Sequence, residues 1–534
     1  MIRAFIPRLM RICFSIIWLC LLFGSSNAYA QEKEKQEIEI IQAEKLRFTD
    51  RNDVKTYLLS GAVILQQGKT TLYCDSAYLF PAWNLASAFG HVHINQSDSV
   101  HAYGDSATYD GNARIARLYQ NVRLTDRAMI LTTDFLTYDM ENRIGIYTDG
   151  GELRNQEAVL TSDRGYYYSI SQDAFFRGDV RLKHPQYRLE ADTLQYNTGT
   201  EVAWFHGPTT IYNENSTVYC EDGYYETISG IAVFNEHVQM DNPPQELQAD
   251  SIFYNRETGL GKAFGNIFFR DTSQHILQYS EVALYDEVNG VITSTERSMA
   301  GYILDNDTLF IAGDTIRIVQ DSLNGNTMYA YPNVRMYKEV FQGVCDSLYY
   351  SDADSIIRLF GMPLLWSDST QFSGDTIQMQ LEANTLREMY FYSNAMIVNE
   401  DDSLIYNQIK GRQITGYFQD GDLYKVSVRG NGESIYFGKD EQDRYLGVNQ
   451  AVCSDIDLYI RENQFRRISF RELPEATFSP MQQIDPASFR LDGFRWAMDL
   501  RPTGRDDLFR ETISDDQAGE EETPSMDRSS QKDG

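Results

Sequence analysis

Apolar and polar side chains alternate with a period of two over most of the chain. In the tetrapeptide NVRL, Val122 and Leu124 share one face and Arg123 lies on the other, and the tetrapeptide DVRL at residues 179–182 has the same pattern. This alternation is typical of a β-strand with one buried face and one solvated face. Turn-rich stretches such as NTGTE lie between these segments, and no long helical pattern occurs between them. The sequence therefore predicts an all-β protein.

A phrase made of a small residue, an acid and often a tyrosine four positions later recurs along the chain. The intervals between successive acids are 30, 29, 29, 29, 29, 29, 31, 33, 32 and 29 residues. The acids are Asp75, Asp105, Asp134, Asp163, Asp192, Glu221, Asp250, Glu281, Asp314, Asp346 and Asp375. A second phrase, aromatic-Gly-x-Val-x-apolar, keeps the same period, as in FGHVHI from Phe89 and FGNIFF from Phe264. Because one repeat of two strands cannot bury its apolar face alone, this period of ~29 residues predicts a β-solenoid-like stack of repeats.

The recurring acid has two interpretations. Stacked carboxylates could bind calcium, but the Gly-Gly-x-Gly-x-Asp pattern of such repeats does not occur in this sequence. Asp also accepts hydrogen bonds from nearby backbone N–H groups and therefore suits a bend between two strands. We favour the structural corner, because so many acids in one catalytic role would be redundant.

The cysteines follow the same period. Cys74, Cys220 and Cys345 lie directly before the acid, where other repeats have Ala or Gly, and Cys453 begins a late copy of the phrase. A small, inward-facing side chain is therefore expected at this position. Cys220 and Cys345 would lie about four rungs apart, beyond the reach of a disulfide. The sequence therefore predicts free, buried thiols.

Catalytic motifs do not emerge from the sequence. His91 and His93 are the closest histidine pair, and we interpret them as exposed residues on one strand face. The nucleophile elbow, the His-Glu-x-x-His helix, the P-loop and the dinucleotide fingerprint do not occur. We expect no enzymatic activity, no metal and no cofactor.

The N-terminus has the pattern of an export signal. Three arginines precede an apolar run at residues 12–23, and Ala28-Tyr29-Ala30 offers the small residues that a signal peptidase reads. We predict a signal peptide at residues 1–30, followed by a linker at 31–45. An uncleaved membrane anchor is the alternative, which the short apolar run disfavours. The net charge of −30 argues against nucleic acid as a partner.

The repeats divide the remainder of the chain into three predicted regions. Residues 46–270 form the regular repeat block, and residues 271–472 form a second, less regular block. Residues 473–534 form an Arg- and aromatic-rich capping segment followed by an acidic, disordered tail.

The basic residues between 461 and 510 are all arginines, interleaved with Phe and Trp. One interpretation is that this stretch covers the last rung of the stack. The other is that Arg490, Arg495 and Arg501 bind anionic lipid headgroups or an acidic partner, since Arg suits bidentate phosphate contacts.

The repeat resembles the LptA/OstA family of periplasmic lipopolysaccharide-transport proteins, whose module also forms the N-terminal part of the outer-membrane protein LptD. The motifs that carry the resemblance are QNVRL (120–124), GDVRL (178–182), EADTLQY (190–196), QADSIFY (248–254) and GNIFF (265–269). The resemblance is good over residues 46–270 and weaker to 472. It implies an open β-jellyroll of two facing sheets, whose apolar interior holds the acyl chains of lipid A. Since the chain is longer than a minimal bridge protein and ends without a barrel segment, we expect a larger stand-alone OstA-like protein.

The function expected from this resemblance is lipopolysaccharide binding and transport toward the outer membrane. The expected location is the periplasm, either free or associated with the outer membrane. The groove positions are Val63, Leu65, Val92, Ile94, Val122, Leu124, Val180, Leu182, Val238, Met240, Ile267 and Phe269. Lipopolysaccharide is the expected ligand, and other transport components or further copies would add at the open ends by strand augmentation. The alternative is a structural or adhesive β-solenoid of the cell envelope with a filled interior. A carbohydrate-active β-helix enzyme would need acids that break the repeat rule, and we see none.

Overall fold

The computed structural model describes most of the chain between residues 36 and 510. The described ranges are 36–51, 54–96, 100–126, 129–154, 158–304, 307–321, 325–382, 385–419, 422–461, 464–472 and 474–510. Nearly all of this chain forms antiparallel β-strands, which confirms the all-β prediction. The signal peptide predicted at residues 1–30 and the end of the acidic tail, 511–534, lie outside the described residues. In the described part, no helix is long and apolar enough to cross a membrane.

The chain divides into two compact units, Met1–Asp149 and Gly150–Gly534. The strands of the first unit are β1 (Glu39–Gln42), β2 (Lys45–Arg51), β3 (Val54–Gln67), β4 (Thr70–Phe80), β5 (Leu85–Gln96), β6 (Val100–Asp110), β7 (Ile115–Asp126), β8 (Met129–Asp139) and β9 (Ile144–Tyr147). A short 3₁₀ turn, Pro81–Trp83, joins β4 to β5.

The second unit repeats the same hairpin pattern over a longer stretch. Its strands as far as the middle of the unit are β10 (Gly151–Arg154), β11 (Val159–Ser162), β12 (Arg164–Tyr168), β13 (Asp173–Lys183), β14 (Arg188–Asn197), β15 (Val202–Tyr212), β16 (Thr217–Glu226), β17 (Ile231–Asn242), β18 (Gln245–Asn255), β19 (Leu260–Asp271), β20 (Ile276–Asp286), β21 (Val291–Leu304) and β22 (Asp307–Asp321). The ladder between β19 and β20 runs unbroken through the boundary predicted near residue 270, from Leu260↔Asp286 to Asp271↔Ile276, apart from the bulge found in every repeat.

The remaining strands of the second unit are β23 (Gly325–Tyr331), β24 (Val334–Lys338), β25 (Phe341–Cys345), β26 (Ser347–Ser351), β27 (Ile356–Phe360), β28 (Leu364–Ser367), β29 (Thr370–Ser373), β30 (Thr376–Glu382), β31 (Thr385–Asp402), β32 (Ile405–Gln419), β33 (Asp422–Lys439), β34 (Tyr445–Arg461), β35 (Gln464–Arg471) and β36 (Glu475–Pro480). Four 3₁₀ turns follow them at Met481–Gln483, Pro486–Ser488, Met498–Leu500 and Asp506–Phe509.

Each long strand bends at a bulge and so contributes to two facing sheets. In β5, residues 85–89 and 92–96 pair with β6 on either side of a register shift between Phe89 and Val92. We call the sheet that contains residues 85–89 and their equivalents the first sheet, and the one that contains 92–96 and their equivalents the second sheet. A bulge bends the strand locally and strengthens its twist. Within each unit, the two sheets therefore enclose an apolar trough, as expected of a stack of two-strand repeats.

Inward positions alternate along both halves of the long strands. In β5, Ala86 and Ala88 of the first sheet and Val92 and Ile94 of the second sheet are all buried, while the residues between them are more exposed. The period-two pattern read from the sequence therefore corresponds to the interior of the trough.

The last described residues, 481–510, form an irregular segment that we call the strap. Instead of covering the last rung as one interpretation of the sequence had it, the strap crosses the outer face of the second sheet. Its Leu491 packs with Phe437 and Val448, and its Leu508 packs with Met299 much earlier in the chain. The sequence could not place this segment. Strand alternation shows that the second sheet has an outer face, but it does not show which chain segment covers that face.

Candidate functional site

The recurring acid lies at the bend of each repeat. Asp250 Oδ2 accepts a hydrogen bond from Asn266 Nδ2 at 2.9 Å, and Asn266 is the second bulge residue of the following strand. Gly265 and Asn266 have φ angles of +70° and +46°, and a Cβ on Gly265 would fall 2.3 Å from Asp250 Oδ2. Glycine therefore suits this position, both for the left-handed backbone and for the close approach of the carboxylate, although Gln120 and Glu236 take a positive φ at the equivalent position of other repeats.

The same contact repeats along the chain. Asn121 donates to Asp105 at 2.7 Å, and Asn333 donates to Asp314 at 2.7 Å. In the repeat of Asp75, His91 Nδ1 takes the place of the asparagine at 2.8 Å, and this hydrogen bond raises the pKa of His91. Each of these acids thus stabilises the bulge that follows it. The interpretation as a structural corner is confirmed for these repeats.

The twelve groove positions predicted from the sequence all lie on inward positions of the second sheet. Nine of them are buried: Val63, Leu65, Val92, Ile94, Val122, Leu124, Val180, Val238 and Ile267. The other three, Leu182, Met240 and Phe269, are half-buried. Each of the three is the next inward residue after a buried one, Val180, Val238 or Ile267, and lies farther from the bend. All three belong to the second unit.

The first sheet supplies the opposite wall of the trough, which the sequence reasoning missed. Its inward residues include Ala77, Ala107, Leu136, Leu194 and Ile252, each two positions after the recurring acid and each buried. The sequence contained a signal for this wall, because these residues lie two positions before the recurring tyrosine and therefore on the same strand face.

The cysteines line the second sheet beside the bend. Cys74, Cys220, Cys345 and Cys453 are free and buried, as the small slot before the acid predicted. Burial raises the pKa of Cys220 to about 12 and that of Cys74 to about 11. These thiols therefore act as small apolar side chains and not as nucleophiles at neutral pH.

The mouth of the trough, the side away from the bends, is closed in the first unit. Tyr138 in the first sheet donates its hydroxyl to Gln96 Oε1 in the second sheet at 3.0 Å, and Tyr109 makes the same bond to Gln67 one repeat earlier. Burial raises the pKa of both tyrosines to about 12. Each Tyr–Gln pair joins the two sheets across the mouth.

The segment before β1 closes the mouth of the first unit further. Gln36 O accepts hydrogen bonds from Gln67 Nε2 of the second sheet at 2.7 Å and from Asn84 Nδ2 beside the first sheet at 3.2 Å. The backbone N–H of Ile38 donates to Asn84 Oδ1 at 2.9 Å. The chain therefore crosses the mouth at this end, and the inward residues beneath it are sealed from water.

The trough is half-open in the first part of the second unit. Six inward residues of the second sheet near the mouth are partly exposed: Leu182, Ile211, Val218, Met240, Leu247 and Phe269. Tyr196, Tyr225 and Tyr254 of the first sheet are partly exposed opposite them, and Tyr285 is 38% exposed. This stretch of the molecule thus presents a continuous apolar surface to the space between the sheets.

Large side chains near the bend accompany this opening. Phe176, Phe205 and Phe234 occupy the inward position of the first sheet next to the bulge, and Phe205 and Phe234 stack with ring centroids 6.3 Å apart. The corresponding residues of the first unit are Leu59, Ala88, Leu118 and Tyr147. Three successive repeats of the second unit thus carry a phenylalanine at this position, which is mostly aliphatic in the first unit.

Polar side chains at the mouth of the half-open segment bond within their own sheet. Asn213 Nδ2 donates to Ser216 Oγ of the same hairpin at 3.2 Å. Tyr254 donates its hydroxyl to Glu287 Oε2 at 2.6 Å in the next hairpin of the first sheet, which raises the pKa of Tyr254 to about 12. These bonds stabilise the rims without joining the sheets.

The later part of the second unit has a filled interior. Its main core cluster draws buried residues from both sheets, among them Ile316, Leu348, Leu365, Phe391 and Ile456. A separate cavity of about 250 Å³ lies between β31 and β35, lined by residues that include Ile397, Ile435 and Phe470. In the main core cluster, side chains of the two sheets pack against each other inside the trough.

The arginines proposed for docking have different environments. Arg490 stacks on Tyr406 and Phe494, each 4.7 Å from its Cζ, and Arg501 Nε donates to Gln342 Oε1 at 2.8 Å. Both therefore attach the strap to the sheet. Arg495 is exposed, although its backbone carbonyl accepts a hydrogen bond from Gln371 Nε2 at 2.7 Å.

The histidine pair lies otherwise than predicted. His91 occupies the bulge, and His93 lies on the outer face of the second sheet, stacked on Tyr103 with a centroid distance of 4.4 Å. Its Nε2 is 3.2 Å from His101 Nδ1. The prediction of a common strand face was wrong, because His91 has the left-handed backbone of the bulge and only His93 belongs to the regular part of the strand. Among the described residues, no three His, Cys, Asp or Glu side chains form a group suited to a metal ion.

The comparisons with known proteins agree with the repeat motifs. A family model described as OstA-like protein matches residues 35–192 and 189–250. Among solved structures, one of those similar to the chain is LptH of Pseudomonas aeruginosa, described as the LptA-homologous periplasmic component of the lipopolysaccharide transport device. That similarity is local, with 17% identity over 22% of this chain and 82% of the other and a TM-score of 0.20. No curated protein matches the chain in sequence. The family match over residues 35–250 supports the assignment of these repeats to the LptA/OstA family.

Proposed function

We propose that this protein binds lipopolysaccharide in the periplasm and shields the acyl chains of lipid A in the half-open trough of the second unit. The observation that carries the proposal is the row of partly exposed, inward apolar residues between Leu182 and Phe269. Each buried CH₂ group contributes ~0.8 kcal/mol, so an acyl chain of about a dozen carbons gains roughly 10 kcal/mol by entering such a trough. The match of residues 35–250 to the OstA-like family model supports the same ligand.

The protein acts as a carrier toward the outer membrane and not as an enzyme in this proposal. A structural role accounts for several of the recurring carboxylates, which bond to the bulges as Asp250 does to Asn266. The proposed role requires no cofactor.

A structural or adhesive role is the alternative, and the interior distinguishes the two. The filled interior of the first unit, where Leu118 and Leu136 are fully buried, would suit such a role for that unit. The half-open segment favours transport, because exposed apolar side chains that face each other cost stability unless a ligand covers them.

Photo-crosslinking in cells tests the proposal. A benzophenone side chain at Met240 should capture lipopolysaccharide, whereas the same group at Leu124, the equivalent position of the closed unit, should not. The outward position Arg181 serves as a second control. Capture from Arg181 alone, or equal capture from Met240 and Leu124, would contradict the proposal. Mass spectrometry of lipid that co-purifies with the protein identifies the captured species.

The open ends of the strand stack suit partner proteins. β1 and β2 both pair with β3, and β35 and β36 both pair with β34, so each pair presents an outer edge. Phe48 on β2 and Phe478 on β36 are half exposed at these edges. We propose that other transport components add strands there. Phe478→Lys should reduce co-purification with a partner, and Phe360→Lys, an exposed site far from either end, should not.

Arg495 is the one of the three predicted docking arginines whose side chain is exposed. We propose that it contacts anionic headgroups or an acidic partner. Arg495→Gln should weaken binding to anionic vesicles without changing the melting temperature, whereas Arg490→Gln should lower the melting temperature because it removes an anchor of the strap. Unchanged vesicle binding by Arg495→Gln would remove this part of the proposal.

A further inference from the structure

Polar side chains replace apolar ones inside the trough at strands β20 and β21. Gln278 and Ser280 of β20 pair with Phe269 and Ile267 of β19, so they occupy inward positions of the second sheet. Both are buried, at 5% exposure each. Two inward positions of β20 in the second sheet are therefore polar, whereas Ile276 nearer the mouth and Ala283 in the first sheet remain apolar.

The next strand continues the polar layer on both sheets. Ser294 of β21 pairs with the inward Ile316 in the first sheet, and Ser298 lies at an inward position of the second sheet beside the bulge. Both serines have no exposed surface. Full burial of such small side chains means that surrounding residues cover them completely.

A direct hydrogen bond crosses the trough in this layer. Gln278 Nε2 in the second sheet donates to Ser294 Oγ in the first sheet. We call the set Gln278, Ser280, Ser294 and Ser298 the polar pinch.

Two hydroxyl groups of the polar pinch are buried without compensation. Ser280 Oγ and Ser298 Oγ are inaccessible to solvent and have no hydrogen-bond partner among the described residues. Buried polar atoms without a partner are uncommon in native proteins and weaken the fold. Apolar residues lie on either side, with Ala263 and Ile267 before the polar pinch and Ala300 and Ile311 after it. A layer that is both polar and costly, placed between two apolar segments, needs an explanation other than core stability.

We infer that the polar pinch ends the lipid compartment, so that an acyl chain held in the half-open segment does not pass into the later part of the second unit. This inference rests on the proposed function. A methylene chain crossing the layer would have to break the Gln278–Ser294 bond and would leave both groups unpaired in a dry environment. The change in the repeat interval from 29 to 31 residues, between Asp250 and Glu281, falls at the same place in the sequence.

A matched pair of crosslinkers tests the inference. Phe269 on β19 and Leu309 on β22 are both half-buried inward residues of the second sheet, and they lie on opposite sides of the polar pinch. In the full chain, a benzophenone at position 269 should capture lipopolysaccharide at least about tenfold more than one at position 309. This ratio corresponds to a difference of about 1.4 kcal/mol in binding free energy. In the double variant Gln278→Ala, Ser294→Ala, capture at 309 should rise toward that at 269.

The outcomes separate the inference from the function on which it rests. Capture at 269 and 309 in equal amounts would overturn the polar pinch and leave lipid binding intact, and so would a double variant whose capture at 309 does not rise. Capture at neither site would overturn lipid binding in this trough and the inference with it.

A stability measurement tests the polar pinch without any lipid. Ser280→Ala and Ser298→Ala each remove an unpartnered hydroxyl and should raise the melting temperature, by about 2 °C. Ser162→Ala is the matched control, because Ser162 is also buried and its Oγ donates to Arg164 O at 2.9 Å, so this variant should melt lower. A decrease for Ser280→Ala and Ser298→Ala like that of the control would show that their hydroxyls are bonded, and would overturn the inference.

Discussion

The closed trough of the first unit and the half-open trough of the second are built from the same repeat. Both have a carboxylate at the bend, as in Asp75 with His91 and Asp250 with Asn266. Both place buried aliphatic residues beside the bulge, as in Val92 and Ile267. They differ at the mouth and at the inward position of the first sheet next to the bulge, which we call the vertex. A few side chains per repeat therefore decide whether the interior is sealed.

The mouth shows the difference most directly. Gln67 and Gln96 reach across to tyrosines of the opposite sheet in the first unit, whereas the same position is occupied by His184, Asn213 and Asn242 in the second. Asparagine is one methylene shorter than glutamine and therefore reaches less far across the mouth. A protein built from this repeat can thus combine sealed segments with half-open ones without changing the repeat.

The largest difference between the two regions is expected for truncation of an interior residue. Leu136→Ala in the first unit leaves a cavity in a fully enclosed site and should lower the free energy of unfolding by about 3 kcal/mol. Met240→Ala in the half-open segment removes a side chain that is already partly hydrated and should cost about 1 kcal/mol. Urea denaturation with hydrogen exchange of β8 and β17 measures both. Equal costs would mean that the two interiors are packed alike.

The corners should respond alike in the two regions. Gly90→Ala and Gly265→Ala each place a Cβ 2.3 Å from the carboxylate of the preceding acid and require a left-handed alanine. Each should cost about 2 kcal/mol of unfolding free energy. A large disparity between the two, measured by urea denaturation, would contradict the claim that the regions differ only at the vertex and the mouth.

The Tyr–Gln pairs should show a smaller difference. Tyr138→Phe removes the hydroxyl that bonds Gln96 across the mouth and should lower the free energy of unfolding by about 1 kcal/mol. Tyr225→Phe, at the equivalent place in the half-open segment, should change it by less than about 0.5 kcal/mol, as is usual for partly exposed sites. Thermal unfolding compares the two. A stronger effect at Tyr225 would mean that a tyrosine hydroxyl also joins the two sheets at the mouth of the half-open segment.

The smallest effect is expected in alkaline solution. Burial raises the pKa of Tyr109 and Tyr138 in the folded protein to about 12, against about 10 in the unfolded chain. The stability that these tyrosines contribute is therefore fully present below pH 10 and is lost as the pH rises from 10 to 12. Tyr138→Phe should flatten the fall in melting temperature over this range. Tyrosinate absorbance near pH 11 that is equal in the folded and unfolded protein would contradict the shift.

The period and alternation of the sequence were enough to find one wall of the trough. All twelve predicted groove positions face inward, because strand alternation determines orientation once the bulge is located. The other wall was missed, although Leu136 and Ile252 lie in the same alternation as the recurring tyrosines. The glycine slot marked the bulge, but its effect on the positions of His91 and His93 depends on the bulge conformation, which the spacing of the histidines does not show.

The strap could not be placed from the sequence. Its arginines suggested headgroup docking, yet Arg490 and Arg501 attach it to residues 84 and 159 positions earlier in the chain, Tyr406 and Gln342. Such contacts depend on which outer residues of the second sheet come together, and residues far apart in sequence meet there without any repeating signal.

The sequence by itself determined the strand content, the repeat, the corner acids and the residues that face inward, because each follows from local chemistry and a period that covers many copies. The tertiary structure alone decided where the trough is sealed, where it is half-open and where the polar pinch crosses it. Those features depend on side chains such as Phe205, Tyr138 and Gln278, which meet partners from other strands or from the facing sheet.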